Sequence, residues 1–518
     1  MKPAENAWSG SAPGWSRPLL WVVAALAVLQ TVGILGWYWP GSLPDTDTSG
    51  VWTALADDVA HGDFYRALQG PLGTGGTRYM PLFFTLHGAL IRAGLTPLAA
   101  GVGLTLGSAV LFVLALGALL RRLGVPRSIA WAGAALLTGT VSFEMMSLTI
   151  RGDFLAAAAN LAGVTAALAW REKGGNLRLG MAAAFFAAAF LTKMTTLSGL
   201  AAVVGWMLWR GERAPALRLA LASGALMLAG VGLAEWSSDG RMLASFRAVA
   251  SGGTTLAYAA TSPLRFLGNC ADDPLLCLLL VPAALVLVGP PSRGLGAFSR
   301  WLTGIVLLVT LVIYGSPGTS LNHLLDLSAL SVLLLVLALG HGGRWAVWSG
   351  GACALLGVGI VATWLPGVPS IPAFHRHYGV PRADAPREFA QRAGPGVSPI
   401  LAENPLIPIL AGERPYVGDL FNLLLMMERD PEQRRAFIER LAQGKFGGIV
   451  ISNWPDVFPR DVDGPQDPLI AERWPELRQH GRIFDDFYDV VARRYRIVLV
   501  RRPYIYFLRD DLGFAPPR

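Results

Sequence analysis

Charge is scarce in this sequence. Lys, Arg, Asp and Glu make up 15% of its 518 residues, where soluble domains carry about 25%. Cysteine is scarcer: there are three, Cys270, Cys277 and Cys353, with no metal-ligand spacing. A Cys270–Cys277 bridge outside the cytoplasm is one reading of them; small unpaired apolar residues is the other. Several catalytic signatures are missing as well. There is no Walker A loop, no His-Glu-x-x-His, no Gly-x-Ser-x-Gly elbow and no paired Cys-x-x-Cys. These absences point away from P-loop nucleotide hydrolysis, zinc proteolysis, serine hydrolysis and dithiol chemistry. No nucleotide-sugar fold is evident on the cytoplasmic side either.

What the chain has instead is apolar length. It is 53% hydrophobic, and long apolar runs recur from Leu19 to Leu365, many near the roughly 20 residues that span a bilayer core. The reading is a polytopic α-helical membrane protein of about eleven helices with a small C-terminal α/β domain. The predicted spans lie near 19–38, 98–120, 128–142, 154–170, 177–192, 195–209, 216–234, 274–289, 301–314, 322–340 and 345–365. The first run is too long for a signal-peptide core, and the aromatic belt Trp37-Tyr38-Trp39 follows it where a cleavage site would stand.

Alternate loops are basic. Arg121, Arg122 and Arg127 follow the second span, Arg171, Lys173 and Arg178 the fourth, and Arg210, Arg213 and Arg218 the sixth. Arg293, Arg300 and Arg344 continue the series, and the opposite loops are net acidic. By the positive-inside rule residues 1–18 are cytoplasmic, 19–365 form the membrane domain with an outer loop at 40–97, and 366–518 form an extracytoplasmic domain. The expected location is a bacterial inner membrane. The net charge of +8 thus resides in short loops, which argues against nucleic acid as a partner. Met80 to Ile91 is too short to span; it reads as a juxtamembrane helix.

The tail reads as strands at Pro399–Ala402, Phe446–Ser452, Arg496–Val500 and Tyr504–Leu508. A helix is expected at Pro431–Ala442, with Asp430 as its cap and Pro431 in its first turn.

Ionisable residues gather at the outer ends of the spans. Asp45 and Asp47 abut the first one, and at least one of them is a functional candidate. Asp57, Asp58 and Asp63 read more simply as a solvated acidic loop. Arg151 and Asp153, before the fourth span, either pair and cap the helix or hold a phosphate. Lys193, ending the fifth, either snorkels or binds phosphate. Asn322 and Asp326, four apart, share a helix face suited to an interhelical hydrogen bond or to head-group binding. The long loop 235–273 could form a lid over such a head group.

The ordered set resembles the GT-C glycosyltransferases of the dolichyl-phosphate-mannose–protein mannosyltransferase-like and aminoarabinose-transferase-like type. The residues that carry this are Asp45/Asp47, the spaced Ala56…Gly62-Asp63-Phe64-Tyr65, Tyr79-x-Pro81, Arg151-Gly152-Asp153, Thr192-Lys193 and Asn322-His323. Leu401-Ala402-Glu403-Asn404-Pro405 and Gly412-Glu413-Arg414-Pro415 are similar to the outer domain of bacterial members. Many relatives have an Asp-Glu pair in the first loop, where this chain has Asp45-Thr46-Asp47; spacing to Gly62 favours Asp47.

The resemblance implies inverting sugar transfer outside the cytoplasm from a polyprenyl-phosphate donor to a lipid, glycan or protein acceptor. It implies Asp47 or Asp45 as the catalytic carboxylate, Arg78, Arg151 and Lys193 as holders of the donor phosphate, and Tyr79, Asp153, Asn322 and His323 in support. No dedicated metal ligands stand out; metal dependence varies in that superfamily, and Asp153 could assist a divalent cation. A glycan ligase or polymerase, or a lipid or solute transporter, are the alternatives.

Overall fold

The computed structural model describes residues 14–516 except 45, 250–253, 289–294, 342, 364, 366–369, 372–373, 376–379, 454–456 and 481–482. Asp45 therefore lies outside the described residues. In chain order the first helices are α1 (Ser16–Tyr38), α2 (Asp47–Ala60), α3 (Pro81–Arg92), α4 (Pro97–Arg122), α5 (Arg127–Ala135) and α6 (Val141–Ser147). Next come α7 (Asp153–Lys173), α8 (Asn176–Thr192), α9 (Ser198–Trp209), α10 (Arg213–Ser237), α11 (Arg241–Val249), α12 (Leu256–Ala260) and α13 (Ser262–Ala271). Helices α14 (Pro274–Val288), α15 (Leu295–Ile313), α16 (Leu325–His341) and α17 (Gly343–Ala362) complete the bundle.

Helix length and composition among the described residues account for six crossings, or seven if α5 and α6 count as one span bent by 73°. Helices α8, α9 and α17 are apolar but shorter, so the figure of eleven rests on the sequence alone. The bend falls at Thr140, whose hydroxyl accepts from the Phe143 amide at 3.3 Å and caps α6. Helix α16, with its preceding turn, is 89% buried, as a helix apolar on every side must be. Helix α7 packs against α4 and α8. Its Ala156-Ala157-Ala158-Ala159 run keeps that contact close.

The bundle has two chemically different ends, and α7 measures their separation: its 21 residues rise about 31 Å at 1.5 Å each. At its C-terminal end Arg122 pairs with Glu172 at 2.6 Å and Arg171 with Glu212 at 2.6 Å. The basic loops thus converge there. At its N-terminal end lie Asp153 and its partners, with α2 and α3 beside them. Helix α3 is the short helix expected outside the spans. Its His87 is fully buried, with Nε2 donating to the Pro97 carbonyl oxygen at 2.8 Å, and burial lowers the imidazole to about 4. The three cysteines are free, with the Cys277 thiol donating to the Cys270 carbonyl oxygen at 2.9 Å.

A short hairpin, β1 (Gln69–Gly70) and β2 (Gly73–Thr74), projects from the loop between α2 and α3. The tail folds around β3 (Ile400–Ala402), β4 (Gly448–Ser452), β5 (Val462–Asp463), β6 (Tyr495–Arg501) and β7 (Tyr504–Arg509), in the order β3-β4-β7-β6-β5. Within this sheet β3 and β4 run parallel and the other described pairs antiparallel. Helices cover both faces, so the central strands read as continuous apolar runs. Phe389, Leu406 and Tyr506 fill one side; Leu423, Phe437 and Phe487 fill the other. Helix Pro431–Ala442 starts as expected, with the Asp430 carboxylate accepting from the Glu432 and Gln433 amides at 3.0 and 3.1 Å.

This domain sits on the α2–α3 end of the bundle, and its attachment corrects one expectation. Asp57 and Asp58 are not solvated: both are buried. Asp58 takes the guanidinium of Arg66 and, from the tail, that of Arg414 at 2.6 Å; Arg414 also reaches Asp63 at 2.8 Å. The Arg66 guanidinium donates to the Pro415 carbonyl oxygen at 2.5 Å. The sequence hid this because one partner lies 356 positions away. Gly50 makes the contact close: a Cβ there would lie 1.9 Å from Asn404 Oδ1. Asp58→Ala leaves the buried Arg66 and the half-buried Arg414 guanidinium without their shared carboxylate and is expected to cost about 3 kcal/mol. A lower unfolding temperature in detergent and faster proteolysis of the first outer loop would register it. Asp239→Ala, which removes an exposed pair with Arg241, should leave both unchanged.

Candidate active site

Asp47 is the first residue of α2. Thr46 caps that helix, its hydroxyl accepting from the Ser49 amide at 3.3 Å. A carboxylate in the first helical turn faces unpaired amides and is favoured there. Two residues on, Ser49 Oγ accepts from the Ile150 amide at 3.0 Å, and the Arg151 amide donates to Thr105 Oγ1 at 3.3 Å. The backbones that carry Asp47 and Arg151 are therefore tied together, although they are 104 positions apart.

Asp153, buried at the start of α7, is a hub. Its Oδ2 accepts from Arg151 Nε at 2.9 Å; its Oδ1 accepts from Lys193 Nζ at 2.5 Å and from Asn322 Nδ2 at 2.8 Å. Three segments meet on one carboxylate, so the pairing reading of Arg151 and Asp153 holds in the geometry and leaves the Arg151 side chain still bordering open space. Asn322 is oriented in turn by the Ser320 hydroxyl, which donates to its Oδ1 at 2.9 Å. Four positions on, Asp326 Oδ1 accepts from Asn160 Nδ2 on α7 at 3.3 Å, so both residues of that face turn towards α7.

Between this end of the bundle and the tail lies a cavity of about 480 Å³. Asp47, Arg78, Tyr79 and Arg151 border it from the membrane domain; Glu403, Asp419, Phe421 and Glu428 border it from the tail. Arg78 lies over the Phe421 ring at 5.2 Å from its centroid. The loop before α16 passes close to the same guanidinium at Gly318, where φ is +80° and a Cβ would come within 3.1 Å of Arg78 Nη2. Glycine suits both constraints. Tyr79 stacks obliquely on Trp52, ring centroids 4.5 Å apart, and burial pushes its phenol up to about 12. Burial also raises the Asp419 carboxyl to about 6, against the opposing pull of its amide partners and Arg78.

The residues singled out in the sequence do not all share this cavity. Asp47, Arg78, Tyr79 and Arg151 do. Lys193, Asn322 and His323 border a smaller polar pocket with Asp153 and Asp326; Asp153 is the bridge between the two groups. Asp419, Phe421 and Glu428 carried no signal in the sequence. Glu403 stood in a tail motif without a role. Among the described residues no group of three or more His, Cys, Asp or Glu side chains is placed to hold a metal ion.

Two solved structures share the architecture. ArnT from Cupriavidus metallidurans, bound to undecaprenyl phosphate, aligns over 96% of this chain and 98% of its own, with 13% identity and a TM-score of 0.52. AglB from Archaeoglobus fulgidus, an archaeal oligosaccharyltransferase in complex with an inhibitory peptide and a dolichol-phosphate, aligns over 85% of this chain and 69% of its own, with 12% identity and a TM-score of 0.50. No protein-family model and no curated protein matches the chain. The fold is the GT-C fold that the motifs anticipated, in an integral membrane protein.

Proposed function

We propose that the chain is a glycosyltransferase that moves a sugar from a polyprenyl-phosphate donor to an acceptor hydroxyl, with inversion, on the extracytoplasmic face of a bacterial inner membrane. One observation carries the reading: Asp47, Arg78 and Arg151 border a single cavity at the end of the bundle remote from the basic loops. Basic loops mark the cytoplasmic end, which puts the N-terminus inside and residues 366–518 outside. The likeness to ArnT with undecaprenyl phosphate and to AglB with dolichol-phosphate supports a lipid-phosphate donor.

The chemistry follows from the donor. Its phosphodiester carries one negative charge, and the leaving polyprenyl phosphate gains a second as the bond to the sugar breaks. Cations beside that oxygen therefore stabilise the transition state more than the ground state. Arg78 and Arg151 take this role in the cavity. Lys193 acts from the next layer, sharing Asp153 with Arg151. The acceptor oxygen attacks the anomeric carbon from the face opposite the phosphate. Its proton passes to the Asp47 carboxylate, and the electron pair of the broken carbon–oxygen bond stays on the phosphate. Tyr79 supplies a neutral donor at the cavity wall.

The test is reconstitution of the full chain in nanodiscs with a panel of undecaprenyl-phosphate-linked hexoses and pentoses. Release of undecaprenyl phosphate is followed by mass spectrometry in the presence of lipid, glycan and peptide acceptors. Release from at least one donor is expected. No release from any of them, together with no binding of undecaprenyl phosphate, would reject the reading.

A further inference from the structure

We propose that Tyr504, reaching from the C-terminal domain, is a positioning residue for Asp47, so that this domain completes the catalytic centre. The inference rests on the proposed role of Asp47 and goes beyond it by assigning work to the C-terminal domain.

Tyr504 opens β7, paired with Ser452 on β4 and Arg501 on β6, and its side chain is buried. Its hydroxyl lies 3.4 Å from Asp47 Oδ1 and 2.7 Å from Asn404 Nδ2. The direction of both bonds can be deduced. Asn404 Oδ1 already accepts from the Leu406 amide at 3.0 Å, which fixes the amide so that its NH₂ faces Tyr504. That nitrogen can only donate. The phenol oxygen accepts it, and the single phenol proton is left to point at Asp47. Burial and the Asp47 charge hold the phenol well above its ordinary range, so it remains a donor.

The carboxylate is thus fixed from two sides. On the membrane side its helix is tied to Ile150 through Ser49. On the tail side the Asn404–Tyr504 pair holds the Oδ1 oxygen of the carboxylate. The absence of a side chain at Gly50 is what lets α2 come close enough to the Asn404 turn. Holding a base within a fraction of an ångström of its working position is worth far more in rate than in binding. The other titratable and charged groups at the cavity are Arg78, Tyr79 and Arg151 from the membrane domain and Glu403, Asp419 and Glu428 from the tail; Glu403 and Tyr506 also act on the Tyr504 phenol.

Tyr504→Phe removes only the hydroxyl and keeps the ring in the sheet. With the undecaprenyl-phosphate-linked donor that gives turnover, kcat is expected to fall about tenfold, the worth of one charge-assisted hydrogen bond. KM for the donor and the affinity for undecaprenyl phosphate should stay within about twofold. Loss of a hydrogen bond to the ionised form raises the pKa of a carboxylate, so the acid limb of the kcat/KM profile should move to higher pH. Placing 3-fluorotyrosine at position 504, a stronger donor of nearly equal shape, should keep kcat and move that limb the other way; a purely structural role for the ring would move neither limb. Wild-type kcat and acid limb in Tyr504→Phe, with Asp47→Asn inactive, would overturn the positioning role and leave the Asp47 assignment standing. An active Asp47→Asn would remove the assignment and this inference with it. Losses of kcat and donor affinity in equal measure, tracking a lower unfolding temperature, would also overturn the positioning role.

Discussion

Asp47→Asn should leave a folded protein whose turnover is about 10²- to 10⁴-fold slower, the usual worth of a positioned general base. The substitution is nearly isosteric. Thr46 still caps α2, Ser49 still holds Ile150, and the Tyr504 hydroxyl can donate to the amide oxygen as it did to the carboxylate. What is lost is a group able to accept the acceptor's proton. The unfolding temperature should fall only slightly, since a carboxylate in the first turn of a helix contributes about 0.3–1 kcal/mol. Release of undecaprenyl phosphate and thermal unfolding, measured on one preparation, separate the two effects. Asp45→Asn is the comparison. Full activity in Asp47→Asn with loss in Asp45→Asn would transfer the role to the neighbouring carboxylate.

Asp153→Asn should act in the opposite way, mainly on the fold. Its carboxylate balances Arg151 and Lys193 in a buried setting. Removing the carboxylate costs about 3 kcal/mol, because the half-buried Arg151 and Lys193 lose the counter-charge they share. The single variant should therefore unfold at a much lower temperature. Asp153→Asn with Lys193→Met restores the original net charge of the trio with one cation, and most of the stability should return. The double variant also reports on which cation meets the donor. Arg151 borders the cavity and Lys193 does not. Affinity for undecaprenyl phosphate should hence recover to within about tenfold, one hydrogen-bonding cation's worth. Affinity that stays at background in a double variant of restored stability would assign the phosphate to Lys193 as well.

Much of this architecture could be read from the chain because it depends on local pattern. Each apolar run became helix, and Asp430-Pro431 opened a helix for the capping reason expected. The aromatic–aliphatic alternation of Tyr504–Leu508 lies in an antiparallel strand. Helix-end charges were legible too, since an ionisable residue beside a membrane run is unusual wherever its partner lies. Pairing over long separations was not. Asp58 looked like a solvated loop residue because Arg414 cannot be connected to it by any period or spacing. Tyr504 carried a strand signal and nothing of its hydroxyl's use, and the same holds for Asp419 and Phe421 at the cavity wall. The bend at Thr140 was missed because the apolar run continues through it, and apolarity does not report direction.

The order of synthesis gives the attachment of the tail a further meaning. Tyr504 is made 457 positions after Asp47, and Arg414 is made 356 positions after Asp58. A ribosome that has delivered every apolar segment to the bilayer has therefore produced a protein with its first loop still lacking both partners. A chain stopped before position 414 would be inserted but inert. On the proposed roles of Asp47 and Tyr504, the catalytic centre is therefore completed only after the whole membrane domain has been made.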